Sequence, residues 1–577
     1  MILTAVTGTY VNDENLQVSA ATKAVADGTA TSRGALTDAL DDTYLQTAIE
    51  YTRTQIAAVP GSGSILGQVW QYNGIKYAFR NNAGDTAAAM YKSSATGWVL
   101  CDMGRTVAFT SGGTTEITEN TALVGATSGA TATAKRILLT SGTWAGGDAA
   151  GTLILYTQVG TFQAENLNIS GGAANVATIG ANSTAVTLTK GGFYRFVNYN
   201  FRGSTDTFRM YGCDGVNKAF EWDGATFVQL TTGMTLDKPT HIAAFRNHLF
   251  LAFGGGSLQH SSPGNPYSWS AVTGATELGI GDDITDIIEM PGPALVVWAR
   301  NSMWTLTGTH IDDWVLSAYS YQVGAIENTV QRIGPGIFLD DRGLTTLSTA
   351  QEYGNFKDAV ISKRIEPILT AKKDQVQCSV AIKDKNQYRL FFDDMTVITM
   401  TMSGGKIMGF TRQEYGVQPL AVTSTEDANG YEELFFGTST GFVYQLDKGT
   451  SFNGNAIRTI CRTHYNHLQT PRNRKRIRKL IFELDAPTET TIYAGVEYDY
   501  SGTEAGGLID IEATGGIWGV SNWGAFVYGG ETVATAEVDI TGNGKNFCII
   551  FTSELTYEEP HTLQGITVLY DVYGMVR

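Results

Sequence analysis

Seven times along this chain a short aromatic-rich stretch recurs. The copies are Tyr77-Ala78-Phe79, Phe208-Arg209-Met210, Leu249-Phe250-Leu251-Ala252-Phe253, Leu295-Val296-Val297-Trp298, Ile337-Phe338-Leu339, Arg389-Leu390-Phe391-Phe392 and Glu433-Leu434-Phe435-Phe436. From Phe208 onward they are spaced about 40 to 50 residues apart, the size of one four-stranded propeller blade. A unit of that length cannot bury its own apolar faces, so it must stack on copies of itself. The recurrence predicts a mainly β fold with a central β-propeller, and it excludes most enzyme folds built on helices.

Composition agrees. Gly is abundant at 66 of 577 residues, Pro scarce at 12, and aromatic residues make up 11%. Gly in turns between runs of Thr, Val, Tyr and Phe is an all-β pattern. The length suffices for several cores. One stretch reads as a helix, Arg33 to Val59, with Leu36, Leu40, Tyr44, Ala48, Tyr51 and Ile56 at near-helical spacing. Thr31 or Ser32 could cap it, and Pro60 with Gly61-Ser62-Gly63-Ser64 ends it.

The layout predicted is an N-terminal strand plus helix (1–60), a first blade (61–104), an inserted Gly/Ala/Thr-rich β-module (105–190), further blades (191–450) and a β-sandwich-like domain (451–577). In the first blade, Gln71-Tyr72-Asn73-Gly74 is a hairpin turn. Tyr91 and Phe220 are equivalent candidates for the middle strand of two blades, and Trp98 and Phe227 for the last. The insertion contains a second repeat. Residues 2–19 match 153–170, including Glu14-Asn15-Leu16-Gln17-Val18-Ser19 against Glu165-Asn166-Leu167-Asn168-Ile169-Ser170, and the first copy lacks its upstream half. A β-module short of strands has an open edge, so the N-terminal strand is expected to be completed by a partner surface. Beyond Asn455, strict alternation at Leu480, Phe482 and Leu484, at Ile492, Ala494, Val496, Tyr498 and Tyr500, and at Ile566, Val568, Tyr570 and Val572 reads as half-buried sandwich strands.

The formal net charge is −16. Such a surface repels the DNA backbone, which argues against a general nucleic-acid binder and suits a surface that DNA passes without sticking. The five cysteines (Cys101, Cys213, Cys378, Cys461, Cys548) are scattered, without a CxxC pair. They are expected to be reduced, buried thiols of a protein made in a cytoplasm. No signal peptide is recognised at the start, and no apolar stretch reaches membrane-spanning length, so no stable membrane insertion is expected.

Catalytic and metal motifs are weak. The pairs Asp282-Asp283, Asp312-Asp313, Asp340-Asp341 and Asp393-Asp394 could supply glycosidase carboxylates or Ca²⁺ ligands, but neighbours on a strand face opposite ways, and Asp at turns caps its own backbone. His464 and His467 lack further convergent ligands, so no metal or other cofactor is expected. The sharpest charge feature is a basic run comprising Arg472, Arg474, Lys475, Arg476, Arg478 and Lys479. Two readings stand: contact with an acidic partner or phosphate, or a solvated strand edge protected by charge.

Lys218-Ala219-Phe220-Glu221-Trp222-Asp223-Gly224 followed by His241 to Phe250, Ser261 through Trp269, and the basic run leading into Ile477 to Asp485 resemble the tail nozzle proteins (tail tubular protein B) of short-tailed bacteriophages. The resemblance covers residues 191–485 moderately and rests on aromatic and Gly patterns. It implies a non-enzymatic virion protein, synthesised in the host cytoplasm and built into the tail. There it would form a homohexamer below the portal and adaptor ring, contact tail fibres or spikes, and conduct double-stranded DNA during ejection. Two rival functions remain. A glycan-binding tail adhesin would gather Trp269, Trp304 and Trp314 into one pocket, and a propeller glycosidase would need converging carboxylates.

Overall fold

The computed structural model describes residues 15–18, 21–25 and 57–575, apart from 111–112, 205–206, 293, 335, 349–359, 428, 450, 454, 486–489, 503, 512–532 and 554–560. The chain divides into two compact units, residues 1–58 and 59–577. In the first, Asn15–Val18 and Ala21–Val25 form an antiparallel hairpin. The helix expected from Arg33 lies, up to residue 56, outside the described residues. Val59, its expected end, is not helical, and its N–H donates to the Gly441 carbonyl. The α-helix described over its full span is Glu366–Lys372, with Pro367 in its first turn.

The second unit is mainly β, and its core is a seven-bladed β-propeller. Four-stranded antiparallel sheets span Arg195–Gln229, His241–Gly279 and Ile284–Ser320. A smaller blade is built on the pair Ile337–Asp340 and Gly343–Thr346, extended by bridges at Gln331 and Val360. Another begins with Val376–Ile382, Gln387–Phe392, Thr396–Ser403 and Lys406–Tyr415, and a three-stranded one spans Ala421–Leu446. The first blade holds Ser62–Ile65, Trp70–Tyr72, Ile75–Asn81, Ala87–Ser94 and Gly97–Leu100. Its hairpin turn has φ 49° at Asn73 and 75° at Gly74, the primed-turn geometry that Asn-Gly favours.

Each aromatic recurrence falls on a strand inside its blade, paired on both sides. Such a strand is covered on both sides, because alternate residues enter different neighbours. Phe79 of blade 1 packs with Phe196 and Phe220 of blade 2, and Tyr211 there with Leu249 and Leu251 of blade 3. Phe250 meets Leu295 and Val297 of blade 4, and Trp298 meets Phe338 of blade 5. Ile337 and Leu339 meet Leu390 and Phe392 of blade 6, and Phe391 meets Leu434 and Phe436 of blade 7. Phe435 then returns to Ala78 and Tyr91 of blade 1. The seven cores form an unbroken cycle, and a fully buried residue in each contributes about 1.5–3 kcal/mol. The hydrogen bond from Ile65 N to Thr438 O (3.1 Å) and the ion pair Lys76–Glu433 (3.0 Å) reinforce the closure.

The insertion is a closed barrel. Arg105–Thr110, Ala177–Ile179, Glu165–Ile169, Thr121–Gly125, Thr131–Ser141 and Ala150–Val159 pair in that order, and the last returns to the first. Six strands enclose a narrow interior. That explains the run Ala130-Thr131-Ala132-Thr133-Ala134, whose alanines are all buried in the barrel core. The barrel docks on blade 2 through Arg136, which ion-pairs with Glu221 (3.2 Å) and Asp223 (2.7 Å), and through Tyr156, whose hydroxyl accepts the Phe227 N–H.

The C-terminal domain is a sandwich around Ile477, Leu480, Phe482, Val496, Phe547 and Phe551. One of its sheets is not separate from the propeller. Asn455–Arg462 pairs with the outer strand of blade 6, Lys406–Tyr415, giving one nine-stranded sheet that runs through both domains.

Candidate functional site

Two places gather charged or exposed groups in ways that packing alone does not require. The first is the propeller axis. First strands of consecutive blades lie against one another, as in Arg195–Tyr199 on His241–Phe245 and His241–Phe245 on Ile284–Met290, which places them around the axis. Arg195 opens its strand and reaches across to the segment 326–331 of blade 5. Its guanidinium donates to Glu327 Oε1 (2.5 Å), Asn328 Oδ1 (2.7 Å) and the Thr240 carbonyl (3.0 Å), and it lies over the Phe193 ring at 4.4 Å. His241 is 2% exposed with Nε2 3.9 Å from Glu327; burial, then Arg195, drives its pKa well below the usual range, so it is neutral. Asp286 faces the same cluster. Lost hydration pushes its carboxyl up to about 7, opposed by Arg195.

The second place is the C-terminal sandwich, where the basic run lies on Asn473–Asp485. The side chains alternate: Lys475 and Ile477 point inward and Arg474, Arg476 and Arg478 outward. A bulge between Ile477 and Lys479 then shifts the phase, so that Leu480, Phe482 and Leu484 face the core. Lys475 is fully buried and its ammonium donates to the carbonyls of Lys545 (2.7 Å) and Thr470. It therefore cannot contact a partner or phosphate, which corrects that part of the expectation. Arg478 pairs with Asp571 (2.5 Å), Lys479 with Glu537 (2.6 Å), and Arg474 donates to Asn543 (2.8 Å). Arg472 and Arg476 are exposed.

Beside this strand runs Thr562–Met575, an edge strand among the described residues. Leu563, Ile566 and Val568 pack on the core, but Leu569, Tyr570, Val572 and Tyr573 are all more than 40% exposed. The alternation that promised Tyr570 and Val572 to the core is overturned, because the sandwich does not cover that end of the strand. Four large apolar residues within five positions of an open edge form a patch of the kind that marks protein contact.

The other candidates are placed apart. Asp282 accepts from Asp283 N and Asn301 N, Asp313 from Thr309 N and His310 N, and Asp340 from Arg342 N and Gly343 N. These are caps of separate turns, those of Asp282 and Asp313 on blade 4 and that of Asp340 on blade 5. Asp394 pairs with Lys372. Trp304 and Trp314 pack against the core shared by blades 3 and 4, and Trp269 against that between blades 2 and 3, so the three form no common pocket. All five cysteines are free, and four are buried; Cys461 is exposed, contrary to expectation.

No family profile and no curated protein matches the chain. Solved structures similar to it include the computationally designed Ika8 protein (10% identity, 68% of this chain and 98% of that one, TM-score 0.29). Virginiamycin B lyase from Staphylococcus aureus matches at 11% identity over 46% of this chain and 95% of that one (TM-score 0.26). The WD40 β-propeller domain of Doa1 matches at 8% over 44% and 96% (TM-score 0.27). The propeller assignment rests on the strand order and the closed cycle of seven cores.

Proposed function

We propose that the chain is a structural subunit of a short-tailed phage virion, a tail nozzle protomer that assembles with copies of itself, as a hexamer, around the exit path of double-stranded DNA. The observation that carries this reading is the apolar strand Thr562–Met575, which has an unpaired edge among the described residues. The nine-stranded sheet supports it, because a propeller fused to a sandwich resists shear between ring and lumen. The net charge of −16 supports it too, since an acidic lumen does not hold phosphates at each step. An adaptor ring above and fibres at the flank are the further partners this reading supplies.

Sedimentation of the purified chain, with electron microscopy of the particles formed, tests the reading. The expected result is a closed ring of six copies that Tyr570→Lys with Val572→Lys reduces to folded monomers. A monomer at all concentrations, or a ring indifferent to both substitutions, overturns it. Antibody label away from the distal end of the tail also overturns it.

A further inference from the structure

The inserted barrel carries a groove of about 510 Å³, within the size range of small-ligand pockets. It lies at the barrel rim and is lined by Asp102, Arg105, Thr157, Gln158, Thr161 and Asn182 among others. Its construction is specific. Strand Ala150–Val159 is bulged where Thr131 pairs with Val159 but Thr133 pairs with Tyr156, so that Thr157 and Gln158 together oppose one residue. Thr157 sits at φ 51°, a left-handed conformation that a β-branched residue rarely adopts. Bulges at barrel rims re-aim side chains. Here Gln158 is turned into a network: its amide donates to Asn182 Oδ1 (3.1 Å) and Gly160 O (2.9 Å), and it accepts from Ser183. Ser183 is 3% exposed and is held in turn by Arg105, whose Nε and Nη2 each donate to it at 2.6 Å. Arg105 Nη1 keeps no protein partner among the described residues, and Asp102 uses Oδ1 on Gly104 N (2.8 Å), leaving its second oxygen.

The Gln158 amide and the Asn182 oxygen, which also accepts the Phe162 N–H (3.1 Å), are thus used within the wall, and what it offers a ligand is donors (Arg105 Nη1, Asn182 Nδ2), an acceptor (the second Asp102 oxygen) and hydroxyls (Thr157, Thr161). An apolar ligand would strand these groups without hydrogen bonds. An anion would meet the Asp102 carboxylate. A polyhydroxylated ligand satisfies both kinds, because every hydroxyl donates once and accepts twice. We propose that this groove binds a saccharide unit of a surface glycan. The site lies within one protomer and does not depend on ring assembly.

The test is saturation-transfer NMR on the full chain with glucose, galactose, mannose, rhamnose, N-acetylglucosamine and glucuronic acid at millimolar concentration. At least one sugar is expected to receive saturation. Asp102→Asn should weaken it about tenfold, the loss of one directed hydrogen bond. Thr161→Trp, a change at an exposed position, should abolish it while the melting temperature stays the same. Thr157→Gly should keep binding, because Gly adopts that backbone freely. No saturation of any of the six sugars, or saturation that survives Thr161→Trp, overturns the proposal. Inorganic phosphate displacing the sugar at equal concentration also overturns it, in favour of an anion site.

Discussion

Arg195 of blade 2 and Glu327 of blade 5 meet across the propeller axis, Nη2 lying 2.5 Å from Oε1. Two blades stand between them along the ring, so the pair joins nearly opposite sides. Its Coulombic share is small, because Glu327 is 55% exposed and such pairs contribute at most about 1 kcal/mol. The larger share comes from Thr240 O, Asn328 Oδ1 and the Phe193 ring, which Arg195 also serves. Arg195→Met is therefore expected to cost about 1–3 kcal/mol in urea unfolding, and Glu327→Gln less than about 1 kcal/mol. Equal costs would put the stabilisation in the ion pair instead.

Asp286 gives the axis a pH dependence of definite sign. Its carboxyl rises from 3.8 to about 7 in the folded chain. Between those values the folded state holds a proton that the unfolded state releases, so the contribution of Asp286 to stability is greatest below about pH 4 and is lost as pH rises through about 7. The groups facing Asp286 are Arg195, which opposes the shift, and Glu327, which adds to it; His241 is neutral across the window. Asp286→Asn should remove this slope and raise stability at pH 8 by an amount on the order of 2 kcal/mol, reduced from the full shift because the residue keeps part of its surface open. Parallel profiles for the two proteins across pH 4–8 would exclude the effect.

The barrel is pinned by one buried cation. Arg136 ion-pairs with Glu221, which is 1% exposed and also accepts from the hydroxyls of Tyr211 (3.0 Å) and Tyr267 (2.7 Å). Burial, then the Glu221 charge, raises both phenols far above their ordinary range, so neither supplies a counter-charge. Arg136→Met leaves the buried carboxylate with one more distant cation, Arg209 at 3.8 Å, and takes the partner from Asp223, a change that costs up to about 3–5 kcal/mol. Adding Glu221→Gln should recover much of that loss. A double variant no more stable than the single one would show that Arg136 acts by packing rather than charge.

Ring closure has its own weak point at Gly441. It sits at φ 85°, and a Cβ there would lie 2.2 Å from the Arg80 guanidinium carbon. That guanidinium donates to Gly63 O (2.9 Å), Thr440 O (3.2 Å) and Val59 O, joining the chain entering blade 1 to the end of blade 7. Gly441→Ala combines left-handed strain of about 1–2 kcal/mol with displacement of Arg80. The expected result is a lowered melting temperature with early hydrogen exchange at Val59 and Ile65. Gly404→Ala, at φ 56° with open space around its Cβ, bears the strain alone and should cost less.

What was legible in the sequence follows from local periodicity. Each strand that carries the aromatic recurrence is covered on both faces, so Tyr77-Ala78-Phe79 and its six counterparts read as continuous apolar runs wherever a blade occurs. Asn73-Gly74 was readable because only a primed turn places two consecutive residues at positive φ. What was not legible depends on partners far apart in the chain. Arg195 and Glu327 are 132 residues apart, and Arg136 and Asp223 are 87. The insertion showed its small-residue alternation but not its closure, which requires Arg105–Thr110 to pair with Ala150–Val159 across the whole module. The basic run was visible as charge, yet neither the bulge after Ile477 nor the exposure of Tyr570 follows from alternation.

The alternation of inward and outward side chains before that bulge makes the basic run separable by measurement. Lys475 is fully buried and its ammonium bonds two backbone carbonyls, whereas Arg476, one residue on, is exposed on the outer face. Burial lowers the lysine pKa, with Asp499 opposing, but the Lys545 carbonyl needs a donor at that place. Lys475→Ala takes the donor from the Lys545 carbonyl beside the sandwich core, while the Thr470 carbonyl keeps the Asn473 N–H (3.2 Å), and is expected to destabilise the domain by about 1–3 kcal/mol. Arg476→Ala should stay within about 0.5 kcal/mol, as surface changes do. Arg476→Glu should leave melting unchanged but weaken self-association beside the edge strand Thr562–Met575, in a salt-dependent way. If Arg476→Glu instead lowered the melting temperature as much as Lys475→Ala, the run would be a structural element along its whole length, and its outward row would have no part in assembly.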